Sequence, residues 1–424
     1  MNIWNGLARC GLSALVLHAS AAAAHDWTSS WGAALMPTSA KTTLAPDRAQ
    51  ATLRQLMRLS LGGSALRVRI SNRWGSEPLV IGAASVARAA RAGASGLDGD
   101  ALPLRFKGQA GATVAPGADI VSDALPLAST GGELLAVSLQ LDTLPAQQSV
   151  HIAAHATQFL APGSQAMLPT LEGAQALESW YQVEGIEVLP AQPAPLLVAI
   201  GDSITDGTGS GLDRDERWPD FLQRRLRETG AAPLAVVDAG IGGNRMLADG
   251  NGPRLLSRFE HDVLERPGVT HALVLIGVND LGVLHRGKHD TPEARAGMLA
   301  ALEDGWRALA AQARARGVCL LAGTITPYGA SRIYDPTPEN EADRQQLNTW
   351  LRTSDLFDGV ADFDAAVRDP AAPDHLQAAY DSGDHLHLSP AGYRAMAGAV
   401  PLERLATCRW RAQATAAKAS GTVP

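Results

Sequence analysis

The chain has 424 residues, of which 46% are hydrophobic and 19% charged, and its formal net charge is −7. This length and apolar content predict two or three domains with substantial cores and exclude a disordered chain. The acidic balance, without any basic tract, argues against nucleic acid as a partner.

The first two dozen residues have the pattern of an export signal rather than of a folded element. Arg9 precedes a short apolar segment at 12–17, and the alanine run at 21–24 offers a cleavage site. We therefore expect residues 1–24 to be a signal peptide and the protein to be secreted or periplasmic. No apolar run is long enough to span a bilayer, so stable membrane insertion is not expected.

Residues 25–190 show the pattern of antiparallel strands. Apolar and polar residues alternate with period two at 66–71, 137–142 and 150–152. Such alternation predicts strands that bury one face, and the frequent glycine and proline turns are typical of an all-β sandwich. A helix is predicted at 47–59, before the first clear strand. The proline-rich segment 188–195 predicts a linker to the next domain.

From residue 195 onward, apolar strands alternate with amphipathic helices. Buried strands are predicted at 196–200 and near 234, 272, 318 and 359. Helices are predicted at 218–226, 293–316, 340–352 and 390–400. This alternation indicates a parallel sheet covered by helices on both sides, in an α/β domain over 195–410. Residues 411–424 are left as a C-terminal tail.

Four short polar blocks occur in this second domain. Gly201-Asp-Ser203 directly follows the buried strand at 196–200, where open α/β sheets place their ligands. The other three are Gly240-Ile-Gly-Gly-Asn244, Gly277-Val-Asn-Asp280 and Asp384-His-Leu-His387. Together, in this order, the blocks resemble the GDSL, or SGNH, family of serine esterases over residues 195–400. The resemblance implies a flavodoxin-like, three-layer fold with a five-stranded parallel sheet.

The chemistry of these residue types matches that of a nucleophilic hydrolase. Ser203 needs an adjacent base, and His387 can take its proton and return it to the leaving group. Asp384, three residues before that histidine, can accept a hydrogen bond from its Nδ1–H. The resemblance implies that the N–H groups of Ser203 and Gly243 and the side-chain amide of Asn279 form an oxyanion hole.

Asp202, Asp206 and Arg245 are further candidates, which we expect to support this site or to contact the substrate. Taken alone, the block at 240–244 is also compatible with a plain glycine turn, and Asn279-Asp280 with a helix cap. The presence of the other blocks favours the functional interpretation.

A metal site is the main alternative for the last block. Asp384, His385 and His387 could bind a metal ion, with His285 and His289 as further nitrogen ligands. The triad explains the same residues better, so we expect neither a metal nor another cofactor.

Two cysteines remain once the signal peptide is removed. Cys319 lies in an apparent core strand, where a thiol usually behaves as a small buried hydrophobe. A free thiol is therefore favoured there, while pairing with Cys408 in an oxidising compartment stays open.

These observations predict that the protein is a serine carboxylic-ester hydrolase that works through an acyl-enzyme intermediate. The resemblance to secreted lipase-like acylhydrolases and polysaccharide acetylesterases implies an ester of a short acyl or acetyl group, with a small molecule or a polysaccharide as its carrier. Two alternatives stay open: a lipase or lysophospholipase-type acylhydrolase, and a non-catalytic carbohydrate-binding protein on a hydrolase fold.

Overall fold

A computed structural model of the chain describes residues 27–45, 50–230, 233–287 and 290–406. The predicted signal peptide and the predicted tail at 411–424 lie outside these ranges. None of the helices in the described ranges is both long and apolar enough to cross a bilayer.

The N-terminal half is built from antiparallel strands, as the sequence predicts. These are β1 (Thr28–Gly32), β2 (Met36–Pro37), β3 (Ala51–Arg58), β4 (Leu66–Ser71), β5 (Leu79–Ala89), β6 (Leu97–Pro103), β7 (Ala112–Val114), β8 (Asp119–Val121), β9 (Leu134–Thr143), β10 (Ser149–His151), β11 (Gln158–Pro162), β12 (Gln175–Leu177), β13 (Trp180–Tyr181) and β14 (Val183–Val188). The largest sheet has the order β12-β11-β3-β9-β5-β6, and β7 also pairs with β5. Two smaller sheets have the orders β1-β14-β4-β8 and β13-β10-β2.

The main core of this half lies between the large sheet and the β1-β14-β4-β8 sheet. Leu53, Leu139 and Ile186 are among its fully buried side chains. The expectation that β9 buries only one face is wrong, because Ala136 packs with Phe159 in a second cluster. The middle of the large sheet is therefore covered on both faces.

The helix predicted at 47–59 is wrong where the structure describes it. Residues 51–58 form β3, which pairs with β9 on one side and with β11 on the other. Long-range pairing in the centre of a sheet has overridden the local helical pattern of Leu53, Leu56 and Met57.

The C-terminal half is an α/β domain, which confirms the predicted fold class. Its strands are β15 (Leu196–Gly201), β16 (Ala235–Gly240), β17 (Val269–Leu275), β18 (Cys319–Gly323) and β19 (Gly359–Ala361). They are parallel, and among the described residues their order β16-β15-β17-β18-β19 is that of flavodoxin. The helices are α1 (Ser203–Asp206), α2 (Trp218–Glu228), α3 (Leu255–Phe259), α4 (Val278–Arg286), α5 (Pro292–Ala315), α6 (Pro338–Thr353), α7 (Phe363–Val367), α8 (Pro390–Ala399) and α9 (Leu402–Ala406).

The helices pack in two groups, and the long helix α5 shows how an apolar stripe directs this packing. In α5 this stripe comprises Leu302, Trp306, Leu309 and Ala313, which are all fully buried. This helix packs against β18, α3 and α6, whereas α2 packs against α8 and β16. A π-helical turn, Glu260–Leu264, continues α3 and packs against β15 and β17.

Cys319 is fully buried at the start of β18, as its apolar surroundings predict. It is disulfide-bonded, so the free thiol favoured from the sequence is wrong. The other two cysteines, Cys10 and Cys408, lie outside the described residues.

The two halves are joined by buried polar contacts. The N–H of Val236 in β16 donates to Ser60 Oγ of the β half at 3.2 Å. Arg266, which follows the π-helical turn, donates to the carbonyl oxygens of Ala33 and Glu184, each at 3.1 Å. Val236 in β16 and Arg266 after the π-helical turn therefore depend on the β half for these hydrogen bonds.

Candidate active site

Ser203 lies on the turn that joins β15 to α1. Asp202 is the N-cap of this helix, and its Oδ1 accepts the N–H of Ile204 at 3.0 Å. An added Cβ at Gly201 would lie 2.3 Å from the carbonyl oxygen of Leu275, so the end of the strand requires glycine. Because Ser203 is the first residue of α1, its N–H has no partner within the helix and can donate to a ligand.

Ser203, His387 and Asp384 form one hydrogen-bonded chain. Ser203 Oγ lies 2.8 Å from His387 Nε2, and His387 Nδ1 lies 2.5 Å from Asp384 Oδ2. A carboxylate can only accept, so Nδ1–H donates to Asp384 and Nε2 is left to accept the Ser203 hydroxyl proton. Ser203 and His387 are each 7% exposed, so the pair is sheltered from bulk water.

The Asp384 carboxylate is oriented by its own loop. Its Oδ1 accepts the N–H groups of Leu386 at 2.9 Å and His387 at 2.8 Å. Burial alone would raise the pKa of Asp384, but the hydrogen bonds from the His387 ring and from these N–H groups hold it below its ordinary value. The group therefore stays ionised at neutral pH.

His385 belongs to a different pair. Its Nδ1 lies 2.5 Å from Asp381 Oδ2. Among the described residues, the metal-ligand grouping considered for Asp384, His385 and His387 does not occur, because the one compact group of such side chains lies elsewhere.

The glycines of the second block allow its loop to approach α1 closely. An added Cβ at Gly240 would lie 2.3 Å from the backbone nitrogen of Asp206. Gly243 has a φ of +71°, a conformation that favours glycine, and an added Cβ there would lie 2.9 Å from Asn251 Nδ2. Close approach to α1 explains the glycine at 240, and the positive φ explains the glycine at 243.

Asn279 lies near the start of α4 and is 3% exposed. Its Nδ2 donates to the carbonyl oxygen of Asn244 at 2.9 Å, and its Oδ1 accepts the Tyr334 O–H at 2.5 Å. These two bonds determine the orientation of the amide and leave its second N–H for another acceptor. The helix-cap alternative is wrong, because Gly277 is the N-cap of α4.

A buried guanidinium, that of Arg258 in α3, connects the loops. Its Nη2 donates to the carbonyl oxygen of Gly201 at 2.8 Å, and its Nη1 donates to that of Ala239 at 2.8 Å. Nε and Nη2 also donate to Asn244 Oδ1, at 3.1 and 2.9 Å. One side chain thus joins the ends of β15 and β16 to the loop that carries Gly243.

The three residues expected to support the site have different surroundings. Burial raises the pKa of Asp202 to about 7, and the nearby carboxylates of Asp280 and Asp206 add to this rise. Asp206 contacts the β half, as described below. Arg245 instead donates to the carbonyl oxygen of Asp249 in its own loop.

Asp280 holds the loop after β16 against α4. Its Oδ2 accepts the N–H of Met246 at 2.8 Å, and its Oδ1 accepts that of Leu247 at 3.1 Å. Burial raises the pKa of Asp280 to about 6, while these two bonds act in the opposite direction. The third block therefore supplies both an amide and a loop anchor.

The β half contributes a histidine that contacts Asp206 in α1. His151 Nδ1 lies 2.9 Å from the carbonyl oxygen of Ala34, and its Nε2 lies 2.9 Å from Asp206 Oδ1. Both side chains are buried. Because both partners are acceptors, both ring nitrogens donate and the imidazole is charged. Burial acts to lower the pKa of His151, but Asp206 outweighs it and raises the pKa above its ordinary value.

The turn after β10 is tied to the segment that follows α1. The N–H and Oγ of Thr157 donate to Asp213 at 2.7 and 2.6 Å, and the Asp213 N–H donates to the carbonyl oxygen of His155 at 2.9 Å. Arg217 also donates to the carbonyl oxygen of Ala154. The segment between α1 and α2 is thus shaped in part by the β half.

Residues 199–395 match the model of the GDSL-like Lipase/Acylhydrolase family. They form a GDSL-like lipase/acylhydrolase domain. All four polar blocks lie inside this range.

Solved structures similar to the chain come from several bacteria. A GDSL-like lipase from Bacteroides thetaiotaomicron is 15% identical and has a TM-score of 0.35, with 50% of this chain and 88% of that chain covered. An acetyl-xylooligosaccharide esterase from Geobacillus stearmophilus is 21% identical and has a TM-score of 0.35, with 50% and 94% covered. An aryl esterase of M. smegmatis is 16% identical and has a TM-score of 0.39, with 50% and 99% covered. No curated protein sequence matches the chain.

Sequence reasoning missed several residues that organise the GDSL-like domain. Arg258 and Tyr334 lie outside all four blocks, and His151 lies outside the domain. Asp280 does lie in one of the blocks, but there the sequence indicated a helix cap and not an anchor for the loop after β16. No local pattern could have found the others, because each acts across a long sequence separation.

We predict that His151→Gln destabilises the protein in a pH-dependent way. The change leaves the buried Asp206 carboxylate without its charged partner, which typically costs about 3–5 kcal/mol. Since the pKa of His151 is raised in the folded state, the stabilisation is complete below its unfolded pKa of about 6.5 and is lost as pH rises through the folded value. Urea unfolding of both proteins across pH 5.5–9.5 measures the difference.

His375→Gln is the matched control, because this half-exposed histidine lies 2.8 Å from Asp374 Oδ1 at the surface. Its effect on stability should stay within about 1 kcal/mol. A penalty for His151→Gln that is independent of pH would contradict the charged pair.

Proposed function

We propose that the chain is an exported serine carboxylic-ester hydrolase. The observation that carries this proposal is the chain of hydrogen bonds from Ser203 Oγ through His387 to Asp384, at 2.8 and 2.5 Å. Nucleophile, base and orienting carboxylate stand in the order that acyl transfer requires. The match of residues 199–395 to a lipase and acylhydrolase family supports the same reaction class.

In the proposed mechanism, Ser203 Oγ attacks the ester carbonyl carbon while His387 Nε2 takes the hydroxyl proton. The resulting tetrahedral intermediate collapses, and His387 passes that proton to the departing alcohol oxygen. Water then attacks the acyl-enzyme with the same histidine as base, which releases the carboxylic acid and restores the Ser203 hydroxyl. Asp384 remains ionised throughout and stabilises the imidazolium.

In this mechanism the negative oxygen of the intermediate accepts hydrogen bonds from the N–H groups of Ser203 and Gly243 and from the second side-chain N–H of Asn279. The site is well suited to this role because its donors are held before substrate arrives. The helix turn presents Ser203, the positive φ of Gly243 turns its loop, and two hydrogen bonds orient Asn279. Preorganised donors of this kind need no rearrangement as charge develops.

We predict that Ser203→Ala lowers kcat for p-nitrophenyl acetate by about 10⁴-fold or more, because the nucleophile is removed. His385→Ala is the control, since this neighbouring histidine pairs with Asp381 and should keep most of the activity. Equal turnover by wild type and Ser203→Ala would leave only the alternative of a carbohydrate-binding protein on a hydrolase fold.

We predict that Asn279→Ala lowers kcat by about 10²–10³-fold with little change in KM, because one donor to the oxyanion is lost. Tyr334→Phe should have a smaller effect, since Asn244 still holds the amide. Steady-state kinetics on p-nitrophenyl acetate separate the two parameters. A change in KM alone would assign Asn279 to substrate binding and not to the oxyanion hole.

We further propose that residues 1–24 direct export to the periplasm or the medium, that residues 25–190 form an accessory β domain, and that residues 195–410 form the hydrolase domain. In this arrangement residues 411–424 are a C-terminal tail. The substrate is an ester of a short acyl group, and the accessory domain holds the polysaccharide that carries it.

A groove of about 930 Å³ in the large sheet supports this role of the β domain. Its lining includes the polar side chains of Gln140, Asp142 and Gln175, together with small residues such as Gly82 and Gly173. Amide and carboxylate groups on an open surface suit the hydroxyl groups of a glycan chain.

We predict that Asp142→Ala and Gln175→Ala raise KM for acetylated xylan by about 3–10-fold, the loss expected for one or two hydrogen bonds. Turnover of p-nitrophenyl acetate should not change, because this small ester does not reach the groove. Asp100→Ala, an exposed position in β6, is the control. Activity on long-chain lipid esters only, with none on acetylated glycans, would replace the glycan hypothesis by a lipase or lysophospholipase function.

A further inference from the structure

A compact group of metal-binding side chain types lies at the boundary between the two halves. Asp119, Glu184 and His261 each offer one ligand atom, and these atoms all lie within 4.8 Å of one another. Asp119 belongs to β8 and Glu184 to β14, the two strands that flank β4, whereas His261 belongs to the hydrolase half. The group therefore draws ligands from both domains.

Two irregularities of the backbone aim these side chains at one point. The pairing of β14 with β4 shifts register between Val183 and Gly185, which makes Glu184 the extra residue of a β-bulge. His261 lies in the π-helical turn at Glu260–Leu264. Bulges of both kinds redirect a side chain and are frequent at functional sites.

Two carboxylate oxygens in the group are buried without a hydrogen-bond partner among the described residues. They are Glu184 Oε2 and Asp119 Oδ1. Glu184 is only 3% exposed. A buried carboxylate oxygen without a partner is costly, and the carboxylate of Glu184 repels that of Asp119. A cation placed between them would satisfy both.

The imidazole is held as metal-binding histidines usually are. His261 Nε2 lies 2.7 Å from Glu184 Oε1, so it faces the carboxylates. On the opposite side, Nδ1 lies 3.1 Å from Glu265 Oε2, the carboxylate–histidine arrangement that orients a ligand ring. Arg73 Nη1 also lies 3.0 Å from Nδ1 and competes for this contact.

Other guanidinium groups nearby are engaged elsewhere. Arg69 pairs with Glu187 at 2.8 Å, and Arg266 donates to backbone carbonyl oxygens. Arg266 Nη2 is still 3.9 Å from Glu184 Oε1. These cations therefore lower the local negative charge without occupying the two unpartnered oxygens.

We propose that a divalent cation of the zinc class binds to Asp119 Oδ1, Glu184 Oε2 and His261 Nε2 and links the β half to the hydrolase half. Zinc accepts both imidazole nitrogen and carboxylate oxygen as ligands, and water would complete its four-coordinate shell. Binding releases the Nε2 proton to solvent, and the metal replaces the hydrogen bond to Glu184. The site is structural and takes no part in ester hydrolysis.

The experiment titrates Zn²⁺ into the full chain after removal of metal by a chelator. Calorimetry should give one saturable site, and at 100-fold excess over Kd the melting temperature should rise by about 3–5 °C. Asp119→Asn and Glu184→Gln keep side-chain size and should each weaken binding by at least about tenfold. His375→Gln, which alters a surface His–Asp pair, should bind like wild type.

Co²⁺ provides an independent readout on the wild-type chain, because ligand-field absorption bands report a low-symmetry site with a nitrogen ligand. The bands should appear with wild type and disappear with His261→Gln, while circular dichroism checks that the variant is folded. The absence of saturable Zn²⁺ binding to wild type would overturn the proposal. Undiminished binding by both carboxylate variants would also overturn it.

Discussion

The organisation of the candidate site depends on one buried charge, the guanidinium of Arg258. Its donors reach the carbonyl oxygens of Gly201 and Ala239 and the side chain of Asn244, so they join the ends of two parallel strands to a loop. Asp262, 2.8 Å away, balances the charge. Burial lowers the pKa of Arg258, yet a guanidinium remains charged at neutral pH. Loss of this side chain would remove these hydrogen bonds and leave the buried Asp262 carboxylate without its guanidinium partner.

A continuous network leads from Arg258 to the groups that meet the substrate in the proposed mechanism. Asn244 accepts from the guanidinium with its side chain and from Asn279 with its carbonyl oxygen. Tyr334 completes the network by donating to Asn279. Rigid donors of this kind are effective because their orientation is determined by folding and not by substrate binding.

The β half contacts elements that lie next to the candidate site. His151 contacts Asp206 in the helix that begins at Ser203, and the turn after β10 binds the segment that follows this helix. These contacts connect the two halves, although a buried ion pair such as that of His151 with Asp206 adds little net stability because each charge must first leave water. The proposed cation site at Asp119, Glu184 and His261 would act in the same sense at another point of the boundary.

The sequence by itself determined the features that depend on neighbouring residues. Period-two alternation identified β4, the run before Gly201 identified β15, and the D-x-x-H spacing brought Asp384 and His387 together on one loop. The tertiary structure alone decided what depends on distant partners. Residues 51–58 became a strand through pairing with β9 and β11, and Arg258 and His151 acquired their roles from acceptors far along the chain. A local pattern records propensity and periodicity, whereas a buried hydrogen bond between residues 184 positions apart, such as that of Ser203 with His387, exists only once the sheet has brought its strand ends together.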